Sequence, residues 1–302
     1  MTSGRSRDRA EAEKLFKQII TDEITNPYVF INTLVSLCAY LIEELEMSNN
    51  SEIFSELEPL LTKLLNYAEK AHSFMYTCLT KGFQAKLALI QMNFGESKRL
   101  YTEAQRIAEK HGFQELAKTF SLGHDRLLEQ LKVWEEFKKN NAPMSERIQL
   151  ASFDRLITHM KGISVSEGPE ILNEEPILLL IMDDSGVTYF NHPFVRNWDH
   201  SDLFSSFMSA FNTFSDEIFS KSIDRIRIGE NTILINPVEP FLAFYVIKGQ
   251  SYSALQKLSR FTKAIRDNSE IWQALHKSVK TSEMLELDKP PLLKTVINEI
   301  FT

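Results

Sequence analysis

A chain of 302 residues, 43% hydrophobic and 25% charged, is long for one compact domain and comfortable for two. Its formal net charge of −7 and isoelectric point near 5.6 argue against broad nucleic-acid binding, which needs a basic face. Its two cysteines, Cys38 and Cys78, each lie in an apolar helical pattern, so buried free thiols are expected rather than a disulfide.

The first residues are basic but lead into no apolar region, so no secretory signal is expected. The uncharged run Pro27 to Ile42 is about 16 residues, short of the ~20 that span a bilayer. A cytoplasmic protein without membrane insertion is expected.

In chain order, residues 8 to about 21 predict a short helix. Asn26-Pro27 then reads as an N-cap followed by proline at the first helical position. Behind it, Ile31, Leu34, Val35, Cys38, Leu41, Ile42 and Leu45 keep the i, i+3, i+4, i+7 rule. Phe30, Leu37 and Tyr40 add a second apolar edge, which suits a helix inside a stack. Helices are expected over Glu52–Ala71, Phe74–Asn93 and Gly95–His111, the last closed by Gly112 as a left-handed C-cap. One long helix from Phe113 to about Lys139 stops before Asn140-Asn141-Ala142-Pro143, and another runs from Ser145 to about Met160. Asn66-Tyr67-Ala68-Glu69-Lys70 recurs as Arg106-Ile107-Ala108-Glu109-Lys110, about 40 residues on. Helix pairs with periods of roughly 34 to 47 residues signal an α-solenoid.

Lys161 to Glu175 loses periodicity and reads as a linker. The pattern then turns strand-like. Ile177–Met182 is a continuous apolar strand, Asp183-Asp184-Ser185-Gly186 a turn, and Val187–Asn191 the returning partner. Asp202 to Phe219 predicts a Phe-rich helix. Leu203, Phe207, Ala210, Phe211, Phe214 and Ile218 cluster on one side, and Phe204, Met208 and Phe219 widen the arc to about half the circumference. Those three edge residues meet either the last helix or a second molecule. Strands follow at Arg225–Ile228, Thr232–Ile235 and Phe241–Ile247, with Pro237 and Pro240 bracketing a bend. Helices are expected over Ser251 to about Asp267, Ser269–Lys280 and Leu292–Phe301. The order is β-β-α-β-β-β-α, a five-stranded antiparallel sheet with the Phe-rich helix crossing between its second and third strands.

Residues 74 to 112 resemble a tetratricopeptide repeat through Ala85, Ser97, Tyr101 and Ala104, although Lys81 stands where the usual aromatic would be. Residues 28 to 71 are a looser copy. Residues 176 to 266 look like the longin/roadblock group of small domains through LLLIMDDSGVTYF, DLFSSFMSAFNTFSDEIF and FLAFYVIKGQSYSALQKL. Together the chain is similar to archaeal tetratricopeptide-repeat proteins that end in such a domain. The expected fold class is α+β: helical repeats over 1–160, a linker over 161–175, and a longin/roadblock-like domain with a C-terminal helical extension over 176–302. The resemblance implies a scaffold whose repeats bind partner proteins and whose αβ domain dimerises or serves small GTPases.

No cofactor, metal or catalytic constellation is read in the sequence. Histidines and cysteines lack metal-ligand spacing. Asp183-Asp184-Ser185-Gly186 lacks the cation-loop alternation and reads as a hairpin turn. Lys248-Gly249-Gln250-Ser251 lacks P-loop spacing, and Ser251 as helix N-cap explains it. His192, Asp199 and His200 form the one weak candidate for metal or acid–base work. Under the resemblance, Phe83 and Lys86 face the repeat groove, and a carboxylate clamp would use Gly82 and Lys86. A solvated lysine is the plainer reading. A homodimer with no GTPase link and an enzyme near His192 remain the rival expectations.

Overall fold

The computed structural model describes residues 3–21, 26–48, 50–151, 156, 174–183, 186–195, 224–281 and 283–301. Two units follow one another, Met1–Gly168 and Pro169–Thr302. The first is helical: α1 (Ser3–Thr21), α2 (Pro27–Ser48), α3 (Ser51–Lys70), α4 (Phe74–Ile90), α5 (Phe94–Lys110), α6 (Gln114–Glu129), α7 (Leu131–Lys139) and α8 (Met144–Ala151). From α1 to α6 each helix packs on the next.

Left-handed turns set the pitch of this stack. His72, Met92 and Gly112 have φ of 51°, 62° and 78° and end α3, α4 and α5 in turn. The following amides of Ser73, Asn93 and Phe113 each donate back to Ala68, Ala88 and Ala108 over 2.8 Å. With the 3.1, 2.9 and 3.2 Å bonds from His72, Met92 and Gly112 to Glu69, Leu89 and Glu109, these are Schellman closures. The turns lie 20 residues apart, so the 40-residue repeat in sequence holds two equivalent steps. Alanine recurs at the fifth residue back from each closing amide, and Ala68, Ala88 and Ala108 are all buried.

The long helix expected over 113–139 is two helices, divided at Gln130. Trp134 is the one buried side chain of α7, with ring centroids 6.4 Å from Phe94 of α5 and 5.9 Å from Phe137 of its own helix. Asn141, at φ 49°, then ends α7 as Ala142 donates to the Phe137 carbonyl over 2.9 Å. Of the helix expected over 145–160, Met144–Ala151 and Leu156 are described.

The second unit holds β1 (Glu174–Met182), β2 (Thr188–Pro193), β3 (Arg225–Ile228), β4 (Asn231–Val238) and β5 (Phe241–Gly249). It ends in α9 (Ser251–Asp267), α10 (Ser269–Thr281) and α11 (Pro291–Phe301). The sheet is antiparallel, in the order β2-β1-β5-β4-β3. One face packs Leu179, Ile181, Ala243 and Tyr245 against Leu258, Phe261, Leu275 and Ile297 of the helices. The opposite face, with Leu180, Met182, Ile233, Leu242 and Phe244, is also buried. Burial on both faces is why β1 and β5 read as continuous apolar runs rather than alternating ones.

Several expectations shift at the residue level. Glu174 and Glu175 belong to β1, not to a linker. Glu174 is held there by the Tyr245 hydroxyl at 2.6 Å and the Lys257 ammonium at 3.1 Å. Pro237 lies within β4 opposite Leu242. β3 pairs only residues 231–234, so Pro237 sits beyond that neighbour and owes it no amide. In Arg225-Ile226-Arg227-Ile228 the alternation is misleading, since Arg225 is 2% exposed and both isoleucines are only partly buried. The C-terminal helix is part of the core rather than an extension. Phe301 lies 4.7 Å from Tyr245, 5.6 Å from Phe194 and 5.7 Å from Phe261 between ring centroids. Residues 202–219, including Phe204, Met208 and Phe219, lie outside the described residues, and so do Asp199 and His200. Among the described residues no helix is long and apolar enough to cross a membrane.

The tight approach of α4 and α6 is testable. A Cβ on Gly82 would stand 2.4 Å from Cε1 of the buried Phe120, whereas one on the exposed Gly95 meets no atom within 4 Å. Gly82→Ala is expected to lower the unfolding free energy by about 1–2 kcal/mol, overpacking outweighing the gain in helix propensity. Gly95→Ala should raise it by about 0.5–1 kcal/mol. Urea unfolding followed by circular dichroism checks both, and equal signs would refute the close contact.

Candidate functional site

The groove expected along the helical layer is covered. The chain turns after α7 and lays α8 over α2 and α4. Ile148, Ala151 and Leu156 are buried there. Arg147 Nη1 donates to the Ile90 carbonyl at 2.8 Å. Ile90 is the last residue of α4, so its carbonyl lacks a continuing turn, and a cation there also suits the negative end of the helix.

Phe83 and Lys86 both lie on α4, but neither offers an open surface. Phe83 is fully buried, and Lys86 is 8% exposed with Nζ donating to the Ala151 carbonyl at 3.0 Å. Gly82 faces the Phe120 ring and leaves no room for a carboxylate. Both site expectations on α4 therefore need correction, because α6 and α8 close over the side chains a partner would have met. Lys81 bridges to Glu103 at 3.0 Å, which accounts for a lysine where the repeat pattern has an aromatic.

A cavity of about 40 Å³ remains beside Lys86, bounded by Tyr101, Thr119, Gly123, Arg126 and Leu156. It has room for on the order of two or three waters and not for a cofactor. Burial drives the Tyr101 phenol well above its usual range, so it stays protonated and offers no base. The Cys38 and Cys78 thiols are pushed up to about 12 by burial, which removes them as nucleophiles. A larger open crevice, about 320 Å³, runs over Leu65, Ala88 and Leu100 between α3 and α5. Its rim charges satisfy one another: Arg99 bonds Glu96 at 2.6 Å and also Glu103, and the hydrogen bond from Arg99 holds the Glu96 carboxyl below its usual range.

In the second unit, His192 sits on β2 between Phe190 and Phe194, with centroids at 6.5 and 4.7 Å. Burial lowers its pKa and so favours the neutral imidazole. Among the described residues no group of three or more His, Cys, Asp or Glu could hold a metal ion. Asp183 closes the β1–β2 hairpin, accepting from the Val187 amide at 2.9 Å and the Tyr189 hydroxyl at 2.7 Å. Ser251 is the first residue of α9 and not its N-cap. Its hydroxyl accepts instead from the buried Arg225 guanidinium, whose Nε bonds Asp224 at 3.0 Å.

Comparison of the chain with protein-family models, with curated proteins and with solved structures finds no match in any of the three. The features that sequence reasoning missed are the seat of α8 and its contacts Arg147, Ile148 and Ala151. The second apolar edge of α2 gave no pointer to it, since Phe30 on that edge packs on Tyr67 and Lys63 of α3.

Phe83→Ala is expected to cost about 3–5 kcal/mol of unfolding free energy, as for a core phenylalanine. A groove-surface residue would change stability by less than about 0.5 kcal/mol, so a loss that small in thermal or urea unfolding would reopen the groove reading.

Proposed function

We propose that this chain is a non-catalytic protein–protein interaction scaffold, with tetratricopeptide-like helical repeats and a longin/roadblock-like docking domain working in the cytoplasm. The observation that carries the reading is that the layer of α2 and α4 already seats a helix. It holds α8 through buried Ile148 and Ala151 and through two bonds from side chains to main-chain carbonyls. A surface that holds a helix this way belongs to the helix-in-groove mode of recognition. The 20-residue step between turns gives helix pairs a 40-residue repeat, within the range of helical-repeat arrays. The five-stranded antiparallel sheet with α9–α11 on one face supports the second half of the reading. Two buried free thiols are in keeping with a reducing compartment.

Small GTPases are the partner class for the sheet unit. The full chain, immobilised and exposed to a panel of small GTPases in both nucleotide states, is expected to retain at least one member in a state-dependent manner. Retention of none would count against the GTPase link and leave an unspecified protein partner.

A structural homodimer is the second reading, favoured by the uneven edges of the sheet. The outer side of β2 is closed by a parallel bridge between Phe190 and Leu285, with the Leu285 amide on the Tyr189 carbonyl at 2.7 Å. Among the described residues β3 ends the sheet on the other side. An end strand is a template for pairing across a two-fold axis. Light scattering at tens of micromolar should then give twice the chain mass, and a monomer would remove this reading. The enzyme alternative at His192, Asp199 and His200 has no support from the described surroundings of His192.

A further inference from the structure

We propose that the cavity where α5 and α6 meet binds a small oxyanion from solution, held by the Tyr101 hydroxyl and the Arg126 guanidinium. The ligand class is an anion of the size of acetate or phosphate. The site is separate from the scaffold reading, which neither requires it nor fails with it.

The phenol is the deciding observation. Tyr101 of α5 is 3% exposed, and its ring lies against Gly123 of α6. A Cβ on Gly123 would stand 2.9 Å from Cε1 of that ring and 3.2 Å from its hydroxyl oxygen, so only a glycine leaves the phenol its place beside the cavity that both residues line. Among the described residues no group hydrogen-bonds the hydroxyl. A buried donor in that position has lost its hydration without compensation, and native structures pair nearly all such groups. Burial holds the phenol well above its usual pKa range, so the proton stays on and is offered to whatever fills the cavity.

Arg126 supplies the charge. It follows Gly123 by three residues on α6, lines the same cavity, and is exposed, which puts it at the mouth. Among the described residues no carboxylate or other acceptor holds its guanidinium. Its positive charge reaches the phenol, where it opposes the effect of burial. Lys86 forms part of the wall with its ammonium on the Ala151 carbonyl, and no further donor is asked of it. Among the described residues no aspartate or glutamate lines the cavity.

These groups select the ligand. A hydroxyl donor and a cation, with no carboxylate beside them, favour an anion over water because charge-assisted hydrogen bonds are the stronger ones. The planar guanidinium fork offers parallel N–H groups to two oxygens, which suits an oxyanion better than a spherical halide. Leu122 and Leu156 add apolar wall that keeps competing water away. The volume of about 40 Å³, on the order of two or three waters, limits the ligand to the size of acetate or phosphate.

The test is thermal unfolding of the full chain in rising sodium phosphate or sodium acetate, each against sodium chloride at matched ionic strength. An anion that binds the folded chain alone raises Tm along a curve set by its Kd, so at least one oxyanion should exceed chloride. Tyr101→Phe removes the hydroxyl and keeps the ring, and Arg126→Gln removes the charge from an exposed side chain. Each should weaken the apparent affinity about tenfold, the loss of one hydrogen bond to a charged group. Lys70→Gln, which removes an exposed charge on α3, should leave the affinity unchanged. Equal rises in phosphate, acetate and chloride would overturn the site and leave a cavity that holds water only. An oxyanion effect of undiminished size in Arg126→Gln, or in a folded Tyr101→Phe variant, would overturn it as well. If Tyr101→Phe lacks a cooperative melt, the comparison of wild type with Arg126→Gln decides.

Discussion

The helical unit depends on one constraint, that α4 is buried over most of its length. Thr77 to Thr80, Gly82, Phe83 and Ala85 to Ile90 are all buried, which exceeds what two neighbours in a stack can cover. Further cover comes from α6, pressed on Gly82, and from α8. Such a helix cannot show the period of a surface helix, and its sequence reads as apolar nearly throughout. Its two polar problems are solved locally. Thr77 and Thr80 bond the Ser73 and Tyr76 carbonyls of their own helix at 3.1 and 2.7 Å, and Lys86 reaches the main chain of α8. The 20-residue pitch follows from the same constraint, because each left-handed turn returns the chain at a fixed offset and a small buried alanine lets the helices approach.

The sheet is buried on both faces as well, and its charged groups gather at strand ends. Glu174 at the start of β1 takes bonds from Tyr245 and Lys257, and Arg225 at the start of β3 is held by Asp224 and Ser251. Placing a buried charge there is tolerable only because each has a partner of suitable geometry. The arrangement fixes where the strands begin. A strand of uniform apolar character has no register signal of its own, since a shift by one residue exchanges two equally buried faces. The polar anchors supply that signal.

Helix positions were the most legible part of the sequence. The cap at Asn26-Pro27, the apolar period of α2 and the glycine closing α5 each rest on local chemistry, and local chemistry is visible in one chain. The five strands and their antiparallel hairpins were legible for the same reason. What the sequence did not show is where tertiary contact overrode local pattern. A long helix is divided at Gln130, Arg225 went inward against its alternation, and Glu174 extended a strand into an acidic stretch. Strand order was also hidden, because adjacency of β1 and β5 pairs residues from Met182 with Leu242 to Glu174 with Gly249, far apart in the chain, which no short pattern encodes. The site fared worst. Phe83 and Lys86 were placed on the right helix, but whether a face is open depends on what another segment does. The returning α8 is invisible to any reading of α4 alone.

Among the described residues two returns of the chain close open sides, and they do so by different means. Leu285 seals β2 with a main-chain hydrogen bond, and the segment continues into α11, whose Leu293, Ile297 and Phe301 are core. Removing that seal would pull a helix out of the sheet's packed face. α8 closes the layer of α2 and α4 with two bonds made by cationic side chains and with buried Ile148 and Ala151. The first closure is backed by extensive apolar burial, which scales with area. The second joins apolar burial at Ile148, Ala151 and Leu156 to hydrogen bonds that set each cation against a main-chain oxygen. A buried cation is tolerable only where such an acceptor meets it, so the cover over α4 is fixed by polar geometry as well as by apolar area.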